Sequence, residues 1–168
     1  MNEVQKNIWE LIKTEHTIID IIDFFKKINS SFYEANFKEK KIIENYQRQL
    51  VCLELTSQIN KKFAKMNLVK EMCLLFDNAY VCGDLNKPFE YQESQTISRE
   101  KFLMVAKKIF EFWRLHLKEN NSVDRVGAIS LCVKNVLKNG YSGECNFESV
   151  DFHDSVSVAF PEFCKIFK

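Results

Sequence analysis

The sequence predicts an all-α protein, an irregular single-domain bundle of about five to eight helices with one short extended segment near the C-terminus. Three observations lead there. Glycine and proline, which break helices, number only four and two among 168 residues. Apolar residues recur at three- and four-residue spacing through most of the chain. Fifteen phenylalanines supply large side chains for an aromatic-rich core. With 46% hydrophobic and 28% charged residues, the composition is that of a folded chain rather than a disordered one. Residues 1–168 are read as one helical domain, with 83–97 as the place where it would subdivide.

Val4, Ile8, Leu11 and Ile12, then Ile18, Ile19, Ile22 and Phe25, mark one bent helix or two short ones ending at Asn29-Ser30-Ser31. From about Tyr33 to Met66 there is neither Gly nor Pro. Ile43, Tyr46, Leu50, Leu53, Ile59 and Phe63 predict a long central helix there, with Thr56-Ser57 as its one weak point. A further helix through Leu68, Met72, Cys73, Phe76 and Tyr80 is expected to be capped by Asn67 and to stop at Cys82-Gly83. Asn86-Lys87-Pro88 and the polar run Gln92 to Thr96 form the interior loop. Ser98 and Ser122 are the expected N-caps of the last two helices, the second ending at Asn139-Gly140. Val150, Phe152, Val156, Val158 and Phe160 then alternate, the pattern of a short strand, but with no second strand to pair with, a final helix or an extended tail fits equally well.

The residues that carry chemistry form no catalytic pattern. Phosphate-binding glycine loops, dinucleotide fingerprints and serine elbows are all missing from the sequence. Six cysteines occur without the two-residue separation that lets two thiolates reach one zinc ion, so they are read as reduced core residues, and no metal or cofactor is expected. Cys132, Cys145, His153 and Cys164 are the one set that could gather four ligands. A cryptic enzyme would need a Cys–His pair brought together by the fold.

Formal net charge is +1, and the basic clusters at Lys38–Lys41, Lys61–Lys65 and Lys107-Lys108 mix with acids or lie opposite apolar faces, so no direct nucleic-acid partner is expected. No run approaches the roughly eighteen apolar residues of a membrane span, and the N-terminus lacks the basic and apolar regions of a secretory signal. A cytoplasmic location without membrane contact is therefore expected. The strongest irregular feature is the run Glu144, Phe147, Glu148, Asp151, Phe152 and Asp154, in a stretch with no Lys or Arg from residue 139 to residue 164. Carboxylates that steer toward Arg or Lys, interleaved with Phe anchors, suit a surface that docks on a basic groove.

Ser122-Val123-Asp124-Arg125-Val126-Gly127-Ala128 resembles the groove motif of Bcl-2-like apoptosis regulators, in which an Asn-Trp-Gly-Arg run opens a helix and an Ala follows three residues beyond the Arg. Arg125 and Ala128 match. The Asn, Trp and Gly positions hold Ser122, Val123 and Asp124. The resemblance covers about eight residues, counting Asn121. It implies a helix-in-groove interaction module in which Arg125 pairs with an acidic residue of a captured helix.

Size, charge distribution and the missing catalytic pattern together predict a non-enzymatic cytosolic binding or inhibitory protein. Its most concrete form is an immunity protein or antitoxin that blocks the active site of one cognate toxin, a nuclease among them, through Glu144, Phe147, Glu148, Asp151, Phe152 and Asp154. The Bcl-2-like module is the alternative and the Cys–His enzyme the second alternative.

Overall fold

The computed structural model describes residues 21–141. The alternating segment after residue 149 lies outside them, as does the helix expected before residue 21. Among the described residues there are six α-helices and one sheet of two three-residue strands, so the all-α class holds. The chain divides into two compact units, one of residues 1–38 and 129–168 and the other of residues 39–128. The 83–97 segment falls inside the second unit.

In the first unit, α1 (Ile21–Ile28) buries Ile22, Phe24, Phe25 and Ile28. Asn29 ends α1 and starts the next helix, because its side-chain oxygen accepts the Phe32 N–H at 3.4 Å. That helix, α2 (Ser30–Phe37), buries Tyr33 and Phe37, whose rings lie 5.2 Å apart.

The second unit opens with β1 (Lys41–Ile43), which interrupts the long helix expected from residue 33 to residue 66. α3 (Asn45–Ile59) follows, a 3₁₀ turn covers Lys61–Phe63, and α4 (Met66–Cys82) ends on Gly83 at φ 71°. There the left-handed conformation favours glycine. Lys65, not Asn67, occupies the N-cap of α4. A second 3₁₀ turn, Lys87–Phe89, carries Pro88 and leads to α5 (Ile97–Glu119). Thr96, two residues before the expected cap, caps α5 by accepting the Arg99 N–H at 3.2 Å.

β2 (Ser122–Asp124) pairs in parallel with β1, Lys41 opposite Ser122 and Ile43 opposite Asp124. Parallel strands need a long crossover, and α3, α4 and α5 provide it. Asn121, at φ 47°, turns the chain from α5 into β2 and holds the start of β1 by donating its side-chain N–H to the Glu39 carbonyl at 2.9 Å. Ser122 thus lies in a strand instead of capping a helix. The helix α6 (Arg125–Asn139) starts from Asp124, whose carboxylate accepts the Val126 N–H at 3.2 Å, and stops at Gly140 as expected.

The core of the second unit is aromatic. Phe76 of α4 stacks on Phe110 of α5 at 4.7 Å, Phe89 closes over both, and Trp113, Met72, Val69 and Ile109 are wholly buried around them. α3 contributes an unexpected face: Tyr46 and Leu50 point to solvent, while Arg48, Cys52 and Thr56 are buried.

Candidate functional site

Two features of the second unit stand out from its packing: a charged network inside it and an apolar stripe outside it.

The network is centred on Arg48, which is 2% exposed. Its Nη1 donates to Asp77 Oδ1 at 2.7 Å and to Asp124 Oδ2 at 3.0 Å, and its Nη2 donates to Asp77 Oδ2 at 3.2 Å and to Asn45 Oδ1 at 2.9 Å. Asp124 Oδ2 also accepts the Trp113 Nε1–H at 2.9 Å. Helices α3 and α4 and strand β2 therefore meet at one guanidinium, and α5 joins them through Asp124. A buried charge is tolerated only when it is paired and hydrogen-bonded, and four of the five Arg48 donors are satisfied in this way. Nε, the remaining donor, has no partner among the described residues. Burial alone would lower the Arg48 pKa, but the hydrogen bond and charge of Asp77 and the charge of Asp124 raise it well above its ordinary value. Burial pushes the Asp77 carboxyl upward, and Arg48 only partly offsets it.

The same helix pair carries two buried thiols. Arg48 and Cys52 lie one turn apart on α3, as Asp77 and Cys73 do on α4, so the antiparallel register that joins Arg48 to Asp77 brings Cys52 opposite Cys73. The neighbouring Cys73 thiol, together with burial, raises the Cys52 pKa. Interaction with Cys52, helped by the charge of Arg48, lowers the Cys73 pKa. Cys132 is pushed up to about 12 by burial, and Cys82 is exposed. His116 stacks on Trp113 at 5.6 Å and faces Asn120. Among the described residues no cluster of His, Cys, Asp and Glu could hold a metal ion. The two carboxylates are engaged by Arg48, the Trp113 indole and the Val126 N–H, and Asp77 keeps part of its side chain exposed.

The stripe runs along the outer face of α5. At 100° per residue, Ile97, Met104 and Leu115 fall within about 20° of one line and Phe112 about 60° from it. They are 70%, 67%, 48% and 40% exposed respectively. Phe102, Ala106, Ile109, Phe110, Trp113 and Leu117 occupy the opposite face and are buried, while on the outer face exposed Lys101, Lys108 and Glu111 separate the apolar residues. Lys101 and Lys108 stand exposed within the stripe, with Lys107 and Lys118 beside it. Arg99 is occupied elsewhere, ion-paired to Glu71 and lying over the Phe102 ring at 4.9 Å.

The sequence-predicted contact residues Glu144, Phe147, Glu148, Asp151, Phe152 and Asp154 lie outside the described residues, as do Cys145, His153 and Cys164. Arg125 opens α6 and reaches Glu44 at 3.4 Å. The sequence reading missed Arg48, Asp77, Asp124 and Trp113. Their signal was faint: an Arg one turn before a Cys and two turns before a Thr, on a helix whose Tyr46 and Leu50 turn out to face water.

No helix of the described residues is long and apolar enough to cross a membrane. No known protein-family model matches the chain, and neither the curated proteins nor the solved structures contain a significant match to it.

Proposed function

We propose that the protein is a non-enzymatic protein-binding module. The observation that carries this reading is the stripe of Ile97, Met104, Phe112 and Leu115 on α5. Isolated exposed apolar residues are ordinary on any surface, but aligned ones opposite a helix's core face mark a contact surface. The polar groups of the interior support the same reading, because Arg48, apart from its Nε, and Asp77 and Asp124 bond to one another and to Asn45, Trp113 and the Val126 N–H.

The test is capture from a lysate of the source cells with the tagged full chain and with a Met104→Glu/Leu115→Glu variant, compared by mass spectrometry. A stoichiometric protein retained by the natural chain and lost by the variant supports the reading. Identical capture by both sinks the stripe as the binding surface.

A second reading rests on the charge distribution. Residues 143–168 hold five acidic and two basic side chains, with the acids concentrated in Glu144, Glu148, Asp151 and Asp154 beside Phe147 and Phe152. In this reading the protein is an inhibitor, the immunity protein or antitoxin of a toxin with a basic active-site groove. Glu148→Lys/Asp151→Lys should then release the captured protein, mainly by raising its off-rate, while the α5 variant retains it.

A further inference from the structure

We infer that Cys52 and Cys73 are a redox modification site, a buried thiol pair that hydrogen peroxide converts to a disulfide joining α3 to α4. The site is independent of the binding reading above. Two contacts fix the register of the antiparallel helices on either side of the pair. Arg48 Nη1 meets Asp77 Oδ1 at 2.7 Å on one side, and Thr56 Oγ1 lies 3.9 Å from the Met72 sulfur on the other. On α3, Cys52 is one turn from both Arg48 and Thr56. On α4, Cys73 is one turn from Asp77 and adjacent to Met72, so the two thiols fall opposite each other between those contacts. Packed helices run about 8–10 Å apart with Cα atoms about 2.3 Å off each axis. Directly facing positions therefore come within the separation of about 4.4–6.8 Å between Cα atoms that a disulfide spans.

Both cysteines are free, Cys52 wholly buried and Cys73 2% exposed. The other described thiols are placed differently. Cys82 is exposed at the end of α4 with its sulfur against the Ala79 and Asp84 carbonyls, and Cys132 belongs to the other compact unit. Hydrogen peroxide is little larger than water, so it reaches buried thiols through local openings too small for an alkylating reagent.

Cys73 is the attacking sulfur, because interaction with Cys52, helped by the charge of Arg48, holds its thiol below the ordinary value against the effect of burial. Its thiolate attacks one peroxide oxygen and the O–O bond breaks. The departing hydroxide takes up the proton that Cys73 released and leaves as water, and Cys73 becomes a sulfenic acid. The Cys52 sulfur then attacks the Cys73 sulfur, the S–O bond breaks, and the hydroxide leaves as water with the Cys52 thiol proton. Two thiols give up two electrons, one peroxide is reduced, and two waters form. The disulfide closes the loop of residues 53–72 and so restricts the unfolded chain.

The test treats the full-length chain with equimolar hydrogen peroxide, blocks the remaining thiols with iodoacetamide in denaturant, and maps the unreduced digest by mass spectrometry. The peptides of Cys52 and Cys73 should appear linked, lighter by two hydrogen atoms than their sum. The melting temperature should rise by about 5 °C or more, and dithiothreitol should reverse both changes. Cys52→Ala should abolish the link and leave Cys73 as a sulfenic acid that dimedone captures, whereas Cys73→Ala should leave Cys52 a free thiol. Circular dichroism checks that each variant keeps its helix content, and the map of the natural chain decides the matter without them. Cys52 and Cys73 both recovered as free thiols from a chain whose Cys82 is oxidised would overturn the inference. So would a link between them that forms only in urea, or Cys73 joined to a different cysteine.

Discussion

Arg48 keeps its charge in the interior because two carboxylates and an amide surround its terminal nitrogens, and its removal would leave Asp77 and Asp124 facing a space without compensation. Breaking a buried pair from one side typically costs about 3–5 kcal/mol. Arg48→Met should therefore destabilise the protein by about that much in urea denaturation; a loss under about 1 kcal/mol would show that the network contributes little. Asp77 adds a pH signature. Its folded pKa lies above its ordinary value near 3.8, so the folded form holds the proton more tightly than the unfolded one. That contribution to stability is fully present below the ordinary value and is lost as pH rises through the folded one. The stability of the natural chain minus that of Asp77→Asn should accordingly fall as pH rises above the ordinary carboxylate value, and a difference that grows there would contradict the assignment.

At the scale of the element, the caps and close approaches give the sharpest expectations. Thr96→Ala should cost about 1 kcal/mol because it frees the Arg99 N–H, while Ser98→Ala, inside the first turn of α5, should cost little. Equal effects in thermal melts would place the cap elsewhere. Gly127 lies on α6 where an added Cβ would meet the Tyr80 ring at 3.3 Å, and that ring already packs edge-on to Phe110. Alanine normally strengthens a helix by about 1 kcal/mol over glycine. Here Gly127→Ala should fail to stabilise, and a raised melting temperature would mean that Tyr80 yields freely.

The same elements show what the sequence discloses. Helical period and the glycines at 83 and 140 located α4 and α6 well, since both signals are local. β1 escaped because Lys41-Ile42-Ile43 becomes a strand only by pairing with residues 122–124, about eighty positions away. On α3 the reading was right in part: Leu53 and Ile59 pack against the core, but Tyr46 and Leu50, taken for core on hydrophobicity, are exposed, and the most deeply buried side belongs to Arg48, Cys52 and Thr56. A buried arginine is legible only once its carboxylates are known, and Asp77 and Asp124 lie 29 and 76 residues further along the chain. The outer apolar residues of α5 stayed hidden because Lys101, Lys108 and Glu111 separate them along the helix, while the stronger period belongs to the buried face.

For the molecule as a whole, the near-neutral net charge leaves recognition to local surfaces, and the cysteines report how tightly the interior is closed. Cys82 should react with a thiol reagent in the native protein, while Cys52, Cys73 and Cys132 react only as the chain unfolds. Prompt labelling of Cys73 under native conditions would show that α3 and α4 open readily. The binding reading meets its most direct test in the backbone amide spectrum of the isotope-labelled full chain titrated with the protein that it captures from lysate. Shifts concentrated at residues 97–118 of α5 are the predicted result. Shifts spread elsewhere with α5 unmoved, or none at all, would contradict it.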